Sequence, residues 1–111
     1  MSWEPISLGE LNDLIEKELQ DCGEQARIFF NQTRLPPAKW ASNPYGNLGG
    51  GFWVVAIYQS KVLWYNDIED GFNVSRYIQF GVIPDEEYWC NQDPLEFALI
   101  RLSEGSVKLN E

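Results

Sequence analysis

The sequence predicts an α+β fold, a single domain in which an antiparallel sheet of about four strands carries an N-terminal and a C-terminal helix. Three observations point there. Residues 49–80 are rich in aromatic and β-branched side chains and are cut by short polar breaks, the pattern of a meander of strands. Each end of the chain instead shows apolar residues three or four apart behind a helix start signal. The length, 111 residues, suits one hydrophobic core.

The first helix begins at a capping box, Ser7 with Glu10, and Ile6 and Leu11 stand at the hydrophobic-staple positions. Leu8, Leu11, Leu14, Ile15, Leu19 and Cys22 form its apolar stripe, and Gly23 follows as a stop. Glu10, Asp13, Glu16, Lys17 and Asp21 fall on the opposite, solvated face. Residues 25–35 read as a strand, because Ala26, Ile28 and Phe30 alternate with Arg27, Phe29 and Asn31. Residues 36–51 read as a long irregular loop with two prolines at its start and glycines at its end, a length that is often functional.

Phe52 to Tyr58 is almost wholly apolar, as a strand covered on both faces is. Gln59-Ser60 makes a turn, residues 62–66 resume the strand pattern, and Glu69-Asp70-Gly71 makes the next turn, with Gly71 expected in the left-handed conformation. From Phe72 to Phe80 the side chains alternate, although residues 75–80 also fit a short helix stopped by Gly81 and Pro84. Arg76 falls on the apolar face, so a strand-end position and a pairing with Asp67, Glu69 or Asp70 are expected; an anion pocket is the alternative. Residues 82–92 read as a second irregular stretch. Asp93 as cap, Pro94 at the first position and Glu96 at the third open a last helix through Leu95, Ala98, Leu99 and Leu102, which Gly105 ends before a frayed tail over 106–111.

Composition removes several chemistries. With no histidine, neither a Ser-His-Asp nor a Cys-His arrangement is available. Two cysteines, Cys22 and Cys90, are too few for a Cys₄ zinc site; free thiols are expected, with a disulfide as the alternative in an oxidising compartment. Gly49-Gly50-Gly51 lacks the Lys-Ser/Thr of a phosphate loop. The run from Asn66 to Gly71 fails the calcium-loop pattern, having Ile68 at the third position and Tyr77 at the twelfth. Carboxylate pairs for glycoside hydrolysis are numerous but unplaced. Neither metal nor cofactor is expected, and a non-enzymatic role is favoured. The first fourteen residues show no secretion signal and no apolar run spans a bilayer, so the expectation is a soluble, cytoplasmic protein, and both glycosylation sequons are read as coincidental.

The net charge is −9 and is unevenly laid out. Residues 1–24 hold seven acids and one base, residues 25–66 four bases and no acid, and residues 67–111 ten acids and three bases. Acidic ends therefore flank a weakly basic centre, where twelve of the sixteen aromatics lie between Trp40 and Trp89. Binding to nucleic-acid phosphates or to an anionic membrane is disfavoured, whereas a basic protein would be attracted and steered. The leading expectation is a non-catalytic protein-binding module, of the kind that neutralises a basic toxin as an immunity or inhibitor protein does. Its expected contacts are Trp64, Tyr65, Asp67, Glu69 and Asp70 on the central hairpin and Asp85, Glu86, Glu87 and Trp89 on the late loop. The alternative is a small-ligand or carbohydrate-binding domain using Trp40, Tyr45, Trp53 and Arg76, closed by the glycine-rich loop.

Overall fold

The computed structural model describes residues 4–108, with side chains described for all but 48 and 105–108. Helices α1 (Leu8–Asp21) and α2 (Glu24–Thr33) lead into strand β1 (Arg34–Trp40). Strands β2 (Phe52–Tyr58), β3 (Lys61–Asn66) and β4 (Gly71–Arg76) follow, and helix α3 (Leu95–Lys108) closes the order. The four strands form one antiparallel sheet in sequence order. The α+β class, the four-stranded antiparallel sheet and the flanking helices agree with the sequence reading.

The sheet has a core on each face. Leu11, Ile15 and Leu19 of α1, Phe30 of α2 and Leu95, Ala98, Leu99 and Leu102 of α3 pack with Val55, Leu63, Tyr65 and Phe72 on the helical face. Trp40, Phe52, Val54, Val62, Trp64 and Ile83 fill the other face, which is covered by the connecting segments rather than by a helix. A bulge in β2 between Val54 and Ala56 turns Val55 and Ala56 together toward the helices.

The capping box forms as read: Glu10 N–H donates to Ser7 Oγ at 3.1 Å and Ser7 N–H to Glu10 Oε1 at 3.0 Å. These bonds hold the Glu10 carboxyl below its usual range. The helices then cap one another. Leu95 N–H at the start of α3 donates to Glu18 Oε1 of α1 at 2.6 Å, and Gly23 N–H before α2 donates to Glu96 Oε2 of α3 at 3.0 Å. Arg27 Nη1 reaches the Cys22 carbonyl at the end of α1 at 2.8 Å.

Several readings are corrected. Of residues 25–35 only Arg34 and Leu35 are strand, at the start of β1, since α2 occupies Glu24–Thr33. Ala26, Phe29, Phe30 and Thr33 recur at helical spacing and face inward, while Ile28, which created the alternation, stays exposed. The loop expected from residue 36 begins only after Trp40, because Pro36 and Pro37 lie in edge strand β1, where its register with β2 shifts between Arg34 and Ala38. Asp70, not Gly71, takes the left-handed backbone (φ 62°). Residues 77–80 belong neither to a strand nor to a helix, because β4 ends at Arg76.

Leu95 does open α3, but Asp93 does not hold its first N–H, which is Glu18's. The Asp93 Oδ2 lies 3.3 Å from Arg101 Nε, without hydrogen-bond alignment. Helix α3 also passes Gly105 to Lys108, so the first part of the expected tail is helical, and 109–111 lie outside the described residues.

Gly71 is required for space. A Cβ there would sit 2.2 Å from the Gln92 Cα. Gly71→Ala therefore pushes residues 91–93 off β4 and is expected to cost about 1–3 kcal/mol, the usual range for overpacking. Gly9→Ala, in α1 with open space around its Cβ position, should instead stabilise by roughly 0.5 kcal/mol. Urea unfolding of both variants checks the contrast.

Candidate functional site

The last two strands turn polar side chains toward the sheet face that has no helix. Asn66, Asn73 and Ser75 are all buried there. Buried amides and hydroxyls need partners, and residues 85–93 supply them. That segment runs antiparallel along β4. Phe72 N–H donates to the Asp93 carbonyl at 2.9 Å. Asn73 binds Asn91 twice, donating from Nδ2 to its carbonyl at 3.1 Å and accepting its N–H on Oδ1 at 2.9 Å, so that one side chain serves as a rung of β-ladder. Ser75 Oγ donates to the Glu87 carbonyl and accepts the Trp64 indole N–H at 2.8 Å.

At the end of β4, Arg76 N–H donates to Glu87 Oε1 at 2.9 Å, while its guanidinium grips Oε2 with Nη2 at 2.7 Å and Nε at 3.1 Å. The strand-end position and the ion pair were expected. The partner is Glu87, not Asp67, Glu69 or Asp70, because the segment 85–93 brings its carboxylate there. Burial alone would raise the Glu87 carboxyl; the Arg76 hydrogen bonds and charge outweigh it and hold the group below its usual range.

At the start of β4, Asn66 organises the hairpin tip. Its Oδ1 accepts the N–H groups of Ile68 and Glu69, and its Nδ2 donates to the Tyr88 hydroxyl and the Trp89 carbonyl, both at 3.0 Å. This turn chemistry accounts for the polar run that resembles a calcium loop. Among the described residues no group of three or more carboxylates or thiols is placed to hold a metal ion. Cys22 is buried and Cys90 exposed, and both are free thiols. Burial, with the nearby Glu96 and Glu18 charges, pushes the Cys22 thiol up.

These bonds leave an aromatic strip at the surface. Tyr45, 52% exposed, stacks on Tyr88 with ring centroids 4.2 Å apart, and Trp89, 43% exposed, is the next residue of the segment. Asp85 and Glu86 lie exposed at the Arg76 end of β4, and the half-buried Glu69 and exposed Asp70 at the Gly71 end. β4 is six residues long, so the two acidic groups stand about 17–20 Å apart, with the tyrosine stack and Trp89 between.

The other expected contacts serve the interior. Trp64 is fully buried, and Tyr65 lies in the helical-face core, its hydroxyl pushed up to about 12 by burial and by the Asp70 and Asp67 charges. Neither can touch a partner. Asp67 is half-buried, and its Oδ2 accepts Ile6 N–H at 2.7 Å while Trp53 Nε1 donates to the Ile6 carbonyl at 3.0 Å, a two-point clamp on the chain before α1. Burial raises the Asp67 carboxyl, against the Ile6 bond. The glycine-rich loop is also committed, since Lys39 Nζ donates to the carbonyls of Gly49 at 2.8 Å and Gly51 at 3.2 Å. Trp40 and Trp53 lie on opposite faces of the sheet, so Trp40, Tyr45, Trp53 and Arg76 do not line one cleft.

Tyr88 was not singled out in the sequence. Its signal was present only as the neighbour of Trp89 in an acidic aromatic stretch. The chain matches no known family model, no curated protein and no solved structure.

Ser75→Ala leaves the Trp64 indole N–H buried without an acceptor, and a loss of about 1–3 kcal/mol is expected in chemical denaturation. The two perturbed carboxylates predict opposite pH behaviour. Glu87, with a pKa lowered when folded, adds stability above the unfolded carboxylate range that is lost as pH falls through its folded value. Stability of Glu87→Gln should thus decline less on acidification than that of the wild type. Asp67, with a raised pKa, is penalised near neutral pH, so Asp67→Asn should gain on the wild type there, and the gap should close as Asp67 protonates. Melting temperatures across the acid range check both signs.

Proposed function

We propose that this chain is a non-catalytic protein-binding module that docks a basic protein partner, as an immunity or inhibitor protein does. The observation that carries the reading is the strip on the segment 85–93, where exposed Tyr45, stacked on the half-buried Tyr88, and exposed Trp89 lie between Glu69 and Asp70 at one end and Asp85 and Glu86 at the other. Rigid aromatics supply contact area at small cost in ordering, and they dominate interface hot spots. Carboxylates at both ends steer a cationic surface onto them and set register. The segment is already held along β4 by its own hydrogen bonds, so docking does not have to order it.

The net charge of −9 supports a basic protein over nucleic acid or an anionic membrane. No helix among the described residues is long and apolar enough to cross a membrane. A cytoplasmic setting accords with two free thiols.

The test is affinity capture from the source cells at low and high salt, followed by binding kinetics with the purified partner. Glu69→Lys with Asp70→Lys should slow association at low salt by at least roughly 10-fold, and the difference should shrink as salt rises. Asp67 is left intact because it holds Ile6. Unchanged association at low salt, or retention of no basic protein, would overturn the reading.

A further inference from the structure

Ile78 and Phe80 are 94% and 70% exposed, the two most exposed large apolar side chains among the described residues. Their loop is not loose. Tyr77 N–H donates to the Ser60 carbonyl at 3.0 Å, Val82 N–H to Gln79 at 3.1 Å, and Ile83 N–H to Ala41 at 2.8 Å, while Ala41 N–H returns to Gly81 at 2.9 Å. Tyr77 and Phe80 both pack against the buried Trp40 ring, with centroids 5.1 and 4.8 Å from it. The loop is therefore fixed at its base, and it still carries an isoleucine and a phenylalanine outward. Scattered exposed apolar residues are ordinary; here two large ones share one pinned loop, and Ile78 also lines a hollow beside it.

The hollow beside Ile78 measures about 350 Å³ and is lined by Tyr77, Ile78, Pro84, Arg76 and Glu86. The positive charge of Arg76 is already taken by Glu87. What remains at the rim is negative, from Glu86, with Asp85 exposed next to it. The same two residues begin the strip on the segment 85–93, so apolar loop and acidic strip are continuous. A second copy of this chain would bring a charge of −9 against −9, whereas a cationic surface is attracted.

We propose that the loop 77–80 is the apolar anchor of the partner interface, with Ile78 and Phe80 entering a hydrophobic pocket of a basic protein whose lysines or arginines meet Asp85 and Glu86. This rests on the reading of the strip as a partner-binding surface. It assigns the two parts different work: carboxylates govern how fast the partner arrives, and the loop governs how long it stays.

The test is photo-crosslinking in the source cells with p-benzoylphenylalanine at position 78, at position 89 in the strip, and at position 100 on α3 as a distant control (Ile78→, Trp89→ and Ile100→p-benzoylphenylalanine), each in the full chain. Positions 78 and 89 should capture the same lysine- and arginine-rich protein, and position 100 should not. With that protein purified, Ile78→Ser with Phe80→Ser should speed dissociation on the order of 100-fold, as loss of two hot-spot side chains does, and leave the salt dependence of association unchanged. Phe97→Ser with Ile100→Ser removes comparable exposed apolar surface from α3 and should alter neither rate. Capture at 89 alone would overturn the anchor and leave the strip standing. Capture at 78 of a second copy of this chain only would overturn the anchor. Capture at neither position would overturn anchor and strip together. An unchanged dissociation rate in the serine variant, with its melting temperature retained, would also overturn the anchor.

Discussion

The burial of polar side chains on β4 is the constraint from which most of this architecture follows. Both faces of this sheet carry large apolar side chains and need cover, and only one face has helices. On the other, Asn73 and Ser75 point inward from the last strand, and neither tolerates an apolar cover. The segment 85–93 answers with main-chain carbonyls and an N–H group in place of apolar side chains. Because backbone meets the amide and the hydroxyl, the segment's own side chains are released to point elsewhere. Tyr88 drops its ring onto Phe52 and Trp64, and Trp89 turns outward. The geometry that makes the interior legal is the geometry that makes the surface aromatic.

The acidity of the chain divides along similar lines. Glu10, Glu18, Glu96 and Asp67 each accept a main-chain N–H near a helix start, and Glu87 takes both the main chain and the guanidinium of Arg76. These five carboxylates are tied to main-chain donors at element ends, although Glu10 stays exposed. The exposed acids include Asp70, Asp85 and Glu86 around the strip and Glu10, Asp13, Glu16, Asp21 and Glu24 along the first two helices. The field of a chain of net charge −9 is thus spread over both regions.

Much of the fold was legible because its signals are local. The capping box at Ser7 and Glu10, the apolar run of β2, the alternation that opens β4 and the stripe through Leu95, Leu99 and Leu102 each lie within one element. The strand read over residues 25–35 failed because Ile28 imitated a period of two in a segment whose inward residues follow the helical period. The cap on α3 failed because the carboxylate that supplies it, Glu18, is 77 residues away. Composition drew attention to the aromatics and acids of the hairpin and of the segment 85–89, but not to their arrangement. Sequence could not tell Trp64 and Tyr65, which face inward, from Trp89, which faces out. Nor could it foresee that Glu87 would be claimed by Arg76, since that pairing depends on how residues 85–93 lie along β4.

The two outer strands of the sheet are closed by unlike means. Pro36 and Pro37 remove two main-chain donors from β1 at the point where its register shifts. The free side of β4 is occupied by Asp93, Asn91 and Glu87. An incoming strand therefore meets a filled edge at β4 and, at β1, an edge that lacks two of its donors. Growth by strand addition is disfavoured at both, and recognition falls more heavily on what the side chains present.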